Sequence, residues 1–570
     1  MVRYALTSLA LSCSTVICFA SPDSVLINGN IYPEASQSLR FEAMAVGDDR
    51  IVALGDTKSI QDLAGPTTHV IDLKGRTVLP GFNDQHVHPL SASMRGAGCQ
   101  INQGSDLSEL KARLATCIDK FRDGDWIVGG QWDASSLGAA PRDELLDDIS
   151  PNNPVSLTDT SGHSIWVNSM AMKLASVTRD SESPQGGVVE RLPDGSLSGV
   201  FRESAISLIT RAIPRPTEEE MFNSLPVGLK EMARFGITSY TEAAVGFIAS
   251  VEAEMNTLKR YAEEVGLPLR ARACLTWSPA TGLKEDNIDA LIAQRNLWQA
   301  ENLTVDCIKI FVDGVPTDSH TAAMLAPYVD NVPGRSPDVE DRGITMVPQE
   351  ALNRATARFD SMGLTVKYHA AGDAAVRAGL DAIEYTRTVN GAYGPLHDVG
   401  HTTFVDPSDL RRARAIGATI EMSPYLFSPT PINDSITAAI GEPRIERAWP
   451  VREAVDAGAL VVIGSDWAVV PSVNPWIAIE TLITRERPGG SDKTFYGDSQ
   501  SITLDEALTM LTANAARHLG RENELGKLLP GYLADYIVID RDPWQTQIRR
   551  LHQINVEMTV VGGNIVYSSD

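Results

Sequence analysis

Cysteine is scarce in this 570-residue sequence: six are present, and two of them, Cys13 and Cys18, fall within the first twenty residues. The other four, Cys99, Cys117, Cys274 and Cys307, are too few for a disulfide-built scaffold, so the fold has to come from an apolar core. Basic charge is short as well. Lys and Arg number 49 against 73 Asp and Glu, a net charge of −24, and without a local basic patch such a surface repels nucleic acid and anionic lipid. Long apolar runs are missing after residue 20, and nothing there reaches the ~20 residues of a membrane-spanning helix. What is present is ordinary for a globular chain. Apolar residues at 43%, with Gly 44 and Pro 32, exclude collagen-like, low-complexity and wholly disordered classes. The length exceeds one compact domain of usual size, which calls for several layers or a large barrel.

The opening MVRYALTSLALSCSTVICFA combines Arg3 with an apolar stretch and small residues before Ala20, the pattern of a secretory leader cleaved after Ala20. Export to a periplasmic or extracellular location is expected, with the acidity belonging to the mature chain, since Arg3 is the leader's one charged residue. In an oxidising compartment Cys99 and Cys117, 18 apart around a helical stretch, either pair or remain two buried thiols. Cys274 and Cys307 sit in apolar strand-like runs and read as core residues.

From Asp23 to Pro80 short β runs alternate with Gly, Asp and Asn turns, and the texture returns after Asn523 in ADYIVID and MTVVGG. The expectation is one small β-sandwich domain built from residues 21–80 and 521–570. Between them, β-branched runs alternate with amphipathic helical stretches, which indicates a parallel α/β architecture. Eight candidate strands, at 78–88, 237–243, 270–277, 305–314, 364–370, 399–405, 418–424 and 460–467, make this a (β/α)8 TIM-like barrel over 81–520. A long insertion after the first strand, about 89–236, is expected to lie over the barrel mouth.

His86 and His88 stand at i and i+2 and therefore on one face of a strand, either a metal chelate or a pair of partly exposed histidines. His369, His401 and Asp466 fall at the C-terminal ends of later strands, where barrel enzymes carry their chemistry. Asp466, after an apolar run, reads as a metal ligand or as a helix N-cap. Lys309 lies mid-strand; alternation turns Cys307, Lys309, Phe311 and Asp313 inward and Ile308, Ile310 and Val312 outward. An inward lysine needs a partner, either Asp313 in an ion pair or carbon dioxide as a carbamate, and Lys367 is a lesser rival for the role. The insertion offers Trp132, His163, Trp166 and Glu203 as substrate-pocket candidates.

This ordered set resembles the amidohydrolase superfamily. QWD at 131–133, SGHSIWVNS at 161–169, KIFVDGVPTDSHTAA at 309–323, HAAGDAAV at 369–376 and LLPGYLADYIVIDRDP at 528–543 are similar to its family-3-like branch, which contains N-substituted formamide deformylase. The resemblance implies one or two divalent ions, zinc first, held by His86, His88, carbamylated Lys309, His369, His401 and Asp466. It also implies hydrolysis of an amide-type carbon–nitrogen bond, N-acyl or N-formyl, on a small-molecule substrate, with Asp466 as general base. Hydrolytic deamination, cyclic amide or ester cleavage, and a non-catalytic metal- or solute-binding protein are the competing readings. Ala374, Gly400 and His320 depart from the branch pattern, where arginine, glutamate and arginine are common. A homodimer is the prior for such an enzyme.

Overall fold

The computed structural model describes residues 21–95, 98–184, 186–277, 285–329, 340–427, 430–490 and 497–569. The leader at 1–20 lies outside them. Eight parallel strands form one sheet in sequential order: Phe82–Val87, Ile237–Val245, Arg270–Trp277, Leu303–Phe311, Thr365–Ala370, Asp398–His401, Thr419–Met422 and Leu460–Ile463, here called strands one to eight. Sequential parallel order with intervening helices is the (β/α)8 arrangement. Strand one is joined to the chain just past the end of strand eight. The Asp466 amide donates to the His86 carbonyl at 2.6 Å, and the His88 amide to the Trp467 carbonyl at 2.5 Å. Asp84 accepts from the amides of His86 and Ser465, at 3.1 and 2.9 Å, and stitches the same seam.

Several strands stop earlier than their sequence pattern. Strand six ends at His401 because His401 and Thr402 take φ of 70° and 37°, outside the extended region. Strand four ends at Phe311, after which Asp313 turns its carboxylate to the amides of Ala323, Ala371 and Gly372. The connecting helices are amphipathic and capped from the sequence. Thr503 and Glu506 form a capping box ahead of Leu504–Leu511, and Thr217 and Glu220 do the same ahead of Glu218–Arg234. The latter helix buries Met221, Leu225, Leu229 and Met232 in the barrel's apolar core, although it falls within the span read as insertion.

The two chain ends meet. Tyr536–Ile539 runs antiparallel to Thr77–Pro80, with Ile537 opposite Leu79, in a five-stranded sheet that shares an apolar core with a four-stranded sheet from residues 24–72. Thr77–Pro80 passes into strand one through Gly81, where a Cβ would lie 2.2 Å from the Thr238 side chain; only glycine lets the two elements approach this closely. Residues 99–203 carry a separate six-stranded sheet with its own core around Trp132, Trp166, Leu110 and Leu157. No helix of the described residues is long and apolar enough to cross a membrane.

Among the described residues two cysteine pairs are formed. Cys99 bonds Cys117, joining the edge of the six-stranded sheet to helix Leu107–Ile118. Cys274 bonds Cys307, a pairing that their reading as core residues did not include. They are register partners on adjacent strands three and four, with Cα atoms 4.2 Å apart. Both remain buried, so the apolar runs were read properly; what the runs do not contain is the register of two strands 33 residues apart.

Candidate metal centre

The C-terminal ends of strands one, four, five, six and eight converge on one point. His86 and His88, projecting from strand one and its end, turn their Nε2 atoms toward the same oxygen, Asp466 Oδ1, at 3.8 and 3.5 Å. Asp466 Oδ2 lies 3.9 Å from His401 Nδ1, and the His401 ring stands 4.7 Å from His86 and 4.3 Å from His369. Lys309 Nζ reaches to 3.3 Å from His86 Nε2. The six residues singled out as ligands thus occupy one buried cluster. Within it, His86, His88 and Asp466 present donor atoms that all lie within 4.8 Å of one another. Two of the six are held in left-handed backbone, His401 at φ 70° and Asp466 at φ 59°, each at a cost of about 1–3 kcal/mol that the surrounding structure sustains.

Behind the imidazoles stand carboxylates. His86 Nδ1 meets Glu421 at 2.8 Å, His88 Nδ1 meets Glu242 at 3.0 Å, and His369 Nδ1 meets Asp313 at 3.2 Å. Each carboxylate engages one ring nitrogen and leaves Nε2 of His86 and His88 for the cluster. This donor chemistry fits a divalent metal: imidazole nitrogens, a carboxylate oxygen and an oriented outer shell. Glu242 and Glu421 were not foreseen in the sequence. The available signal was an acidic residue inside each of two strand-like runs, ITSYTEA and ATIEMSP.

Asp313 is not the partner of Lys309, because its oxygens are engaged by His369 and three amides. Burial, reinforced by the Lys367 cation, pushes the Lys309 ammonium down to about 8 against the attraction of Glu421 and Asp466. Lys367, the register partner of Lys309 on strand five, is paired with Asp398 at 2.7 Å. Burial, then the Lys309 and Lys367 cations, holds His86 well below the usual histidine range. Burial, then His369 and Lys309, does the same to His401, and His369 is lowered by burial, His163 and Lys309. His88 differs. Burial acts downward there too, yet Asp466 and Glu242 lift it to about 9.

The insertion candidates separate into two groups. His163 and Glu203 reach the cluster: His163 Nδ1 meets Glu203 at 2.8 Å, its ring lies 4.9 Å from His369, and Glu203 accepts from Thr321. Trp132 and Trp166 pack ring against ring at 5.9 Å in the insertion's core, with the Trp132 indole donating to the Leu157 carbonyl at 2.8 Å. Phe247, following strand two, is 61% exposed and stacks beside His88. Of the departures from the branch pattern, Gly400 has a direct spatial correlate: a Cβ there would run into the Glu421 carboxylate.

A sequence profile described as "Amidohydrolase family" matches residues 69–567. The chain belongs to the amidohydrolase family. It is a hydrolase by that membership, and several relatives match it along nearly its whole length. Protein LONG AFTER FAR-RED 3 of Arabidopsis thaliana is 27% identical, covering 96% of this chain and 91% of its own. N-substituted formamide deformylase of Arthrobacter pascens is 25% identical, covering 96% and 98%. Among solved structures, an uncharacterized metal-dependent hydrolase from Pyrococcus horikoshii superposes with a TM-score of 0.71 at 23% identity, over 92% of this amidohydrolase and 99% of that chain. That likeness establishes the shared barrel fold.

Proposed function

We propose that this amidohydrolase is exported and cleaves an amide-type carbon–nitrogen bond, N-acyl or N-formyl, in a small molecule. The observation that carries the reading is the convergence of His86 and His88 Nε2 on Asp466, with Glu421 and Glu242 behind the two rings. A divalent ion, zinc first for such nitrogen and oxygen donors, would be held by His86, His88 and Asp466, with His369, His401 and Lys309 beside it, and would supply Lewis acidity to a carbonyl oxygen and a water. Asp466 then takes a proton from the attacking water at a carboxylate oxygen and returns it to the leaving nitrogen. His163, fixed through Nδ1 by Glu203, offers Nε2 to the substrate from above, and Phe247 gives an apolar wall beside His88.

Lys309, held toward its neutral form, attacks carbon dioxide through its amine nitrogen and releases a proton, leaving a carbamate that adds an anionic ligand. Export draws support from the leader-like first twenty residues and from the two cysteine pairs, which suit an oxidising compartment. Metal analysis of the purified chain, paired with a screen of N-acyl and N-formyl amides before and after chelation, tests the proposal. Stoichiometric divalent metal and chelator-sensitive amide turnover are expected. A metal-free chain whose turnover ignores chelators overturns it.

A further inference from the structure

We propose that Glu421 is the positioning residue for His86, and that it reaches His86 because strands six and eight each omit a side chain beside it. The inference rests on the metal-site reading above. Strand seven, which carries Glu421, lies between strands six and eight. Its two neighbours are glycine at the level of the carboxylate: Gly400 on strand six and Gly464 directly after strand eight. A Cβ at Gly400 would lie 2.5 Å from Glu421 Oε2 and 2.9 Å from the Tyr368 carbonyl oxygen, and a Cβ at Gly464 would lie 2.9 Å from Oε1 and 2.2 Å from the His86 Cβ. Neither glycine uses the left-handed backbone region, so the requirement is for space and not for conformation.

The carboxylate in this cradle is fully buried, and Oε2 approaches two groups: His86 Nδ1 at 2.8 Å and Lys367 Nζ at 3.5 Å. Lys367 already has a closer counter-ion, Asp398 at 2.7 Å. The short contact, and hence the positional information, belongs to His86. By holding the proton on Nδ1, Glu421 fixes the imidazole tautomer and aims the Nε2 lone pair at the point shared with His88 and Asp466. The carboxylate oxygen sits where a side chain from position 400 would otherwise pass. An aspartate oxygen lies two bonds beyond its Cβ, which is the reach from a Cβ at 400 to the present Oε2.

The test uses the full mature chain, stripped by chelation, with zinc alone as the probe and competition against a chromophoric chelator as the readout. Circular dichroism checks that each variant is folded. Glu421→Gln keeps the side-chain volume and should weaken zinc binding by about 10–100-fold. Gly400→Ala, with Glu421 intact, should weaken it as well by displacing the carboxylate. In a Glu421→Ala background the same Gly400→Ala change should cost less than it does with Glu421 present, because only the Tyr368 carbonyl is left to crowd the new Cβ. Gly400→Asp combined with Glu421→Ala should recover most of the affinity by delivering an oxygen to the vacated place. Wild-type zinc affinity in Glu421→Gln, independent additive losses for the two alanine changes, or no recovery in Gly400→Asp/Glu421→Ala would each overturn the assignment. A wild-type chain that binds no zinc removes the metal-site reading, and this inference falls with it; in the other three outcomes zinc binding by the wild type leaves that reading standing.

Discussion

The bond between Cys274 and Cys307 gives a prediction with a number attached. It closes a loop of 33 residues between strands three and four. In the chain-entropy account, cross-linking over that separation removes about 12.5 cal/mol/K from the unfolded ensemble, or about 3.7 kcal/mol at 25 °C. Both positions are buried, so the perturbation should be Cys274→Ala with Cys307→Ala, which avoids burying a hydroxyl without a partner. Lys309 is on the same strand, two residues beyond Cys307 and in register with Thr276, so loosening this seam loosens the lysine as well. The assay is urea unfolding of wild type and double variant under non-reducing conditions, with zinc titration of each. A stability loss of about 3–4 kcal/mol is expected, with zinc binding reduced less than in any ligand variant. Free thiols at positions 274 and 307 that titrate in the unreduced, denatured wild type, or a double variant that unfolds within about 1 kcal/mol of it, would rule out this role for the bond.

Asp466→Asn should lower turnover by about 10²–10⁴-fold, the usual contribution of a positioned proton acceptor, and steady-state kinetics at saturating zinc measures it; unchanged turnover would remove Asp466 from the base role. His163→Gln should lower kcat by about 10²-fold while metal content stays at the wild-type value, so a parallel loss of zinc would reassign His163 as a ligand. Carbon-13 bicarbonate should label one carbamate carbon per chain and none in Lys309→Met; an unlabelled, fully active enzyme would exclude the modified lysine. Asp360 supplies the pH test: burial raises its carboxyl, but His397, Asn390 and Arg387 outweigh it and bring it down to about 2. A lowered carboxyl stabilises the fold above its ordinary range and ceases to do so as the pH falls toward 2. The difference between wild type and Asp360→Asn, roughly 1–2 kcal/mol after solvent screening, should therefore be full at pH 7 and shrink below about pH 4 in urea unfolding.

What the sequence made legible was whatever depends on one strand at a time. His86 and His88 share a face because they are two residues apart, and Lys309 faces inward with Phe311 by the same alternation, as its approach to His86 bears out. Eight apolar β runs separated by amphipathic stretches likewise announce a barrel without reference to any partner. The unread part lies across strands. Cys274 and Cys307, and Lys309 and its neighbours, meet through register, which depends on where each strand begins relative to the next and not on any pattern within it.

Glu421 shows why this limit falls hardest on the outer shell of the site. Taken along its own strand, it is an acidic residue in ATIEMSP with no visible purpose, and Gly400 in VGH is only a missing side chain. The two acquire meaning together, because a Cβ at 400 and the carboxylate from 421 compete for one small volume beside His86. A ligand can be recognised by its own chemistry, whereas a group that orients a ligand is defined by the space its neighbours leave. Substituting either residue alone should therefore look like damage to His86, and the transferred carboxylate in Gly400→Asp/Glu421→Ala is the change that separates lost orientation from a merely disturbed strand.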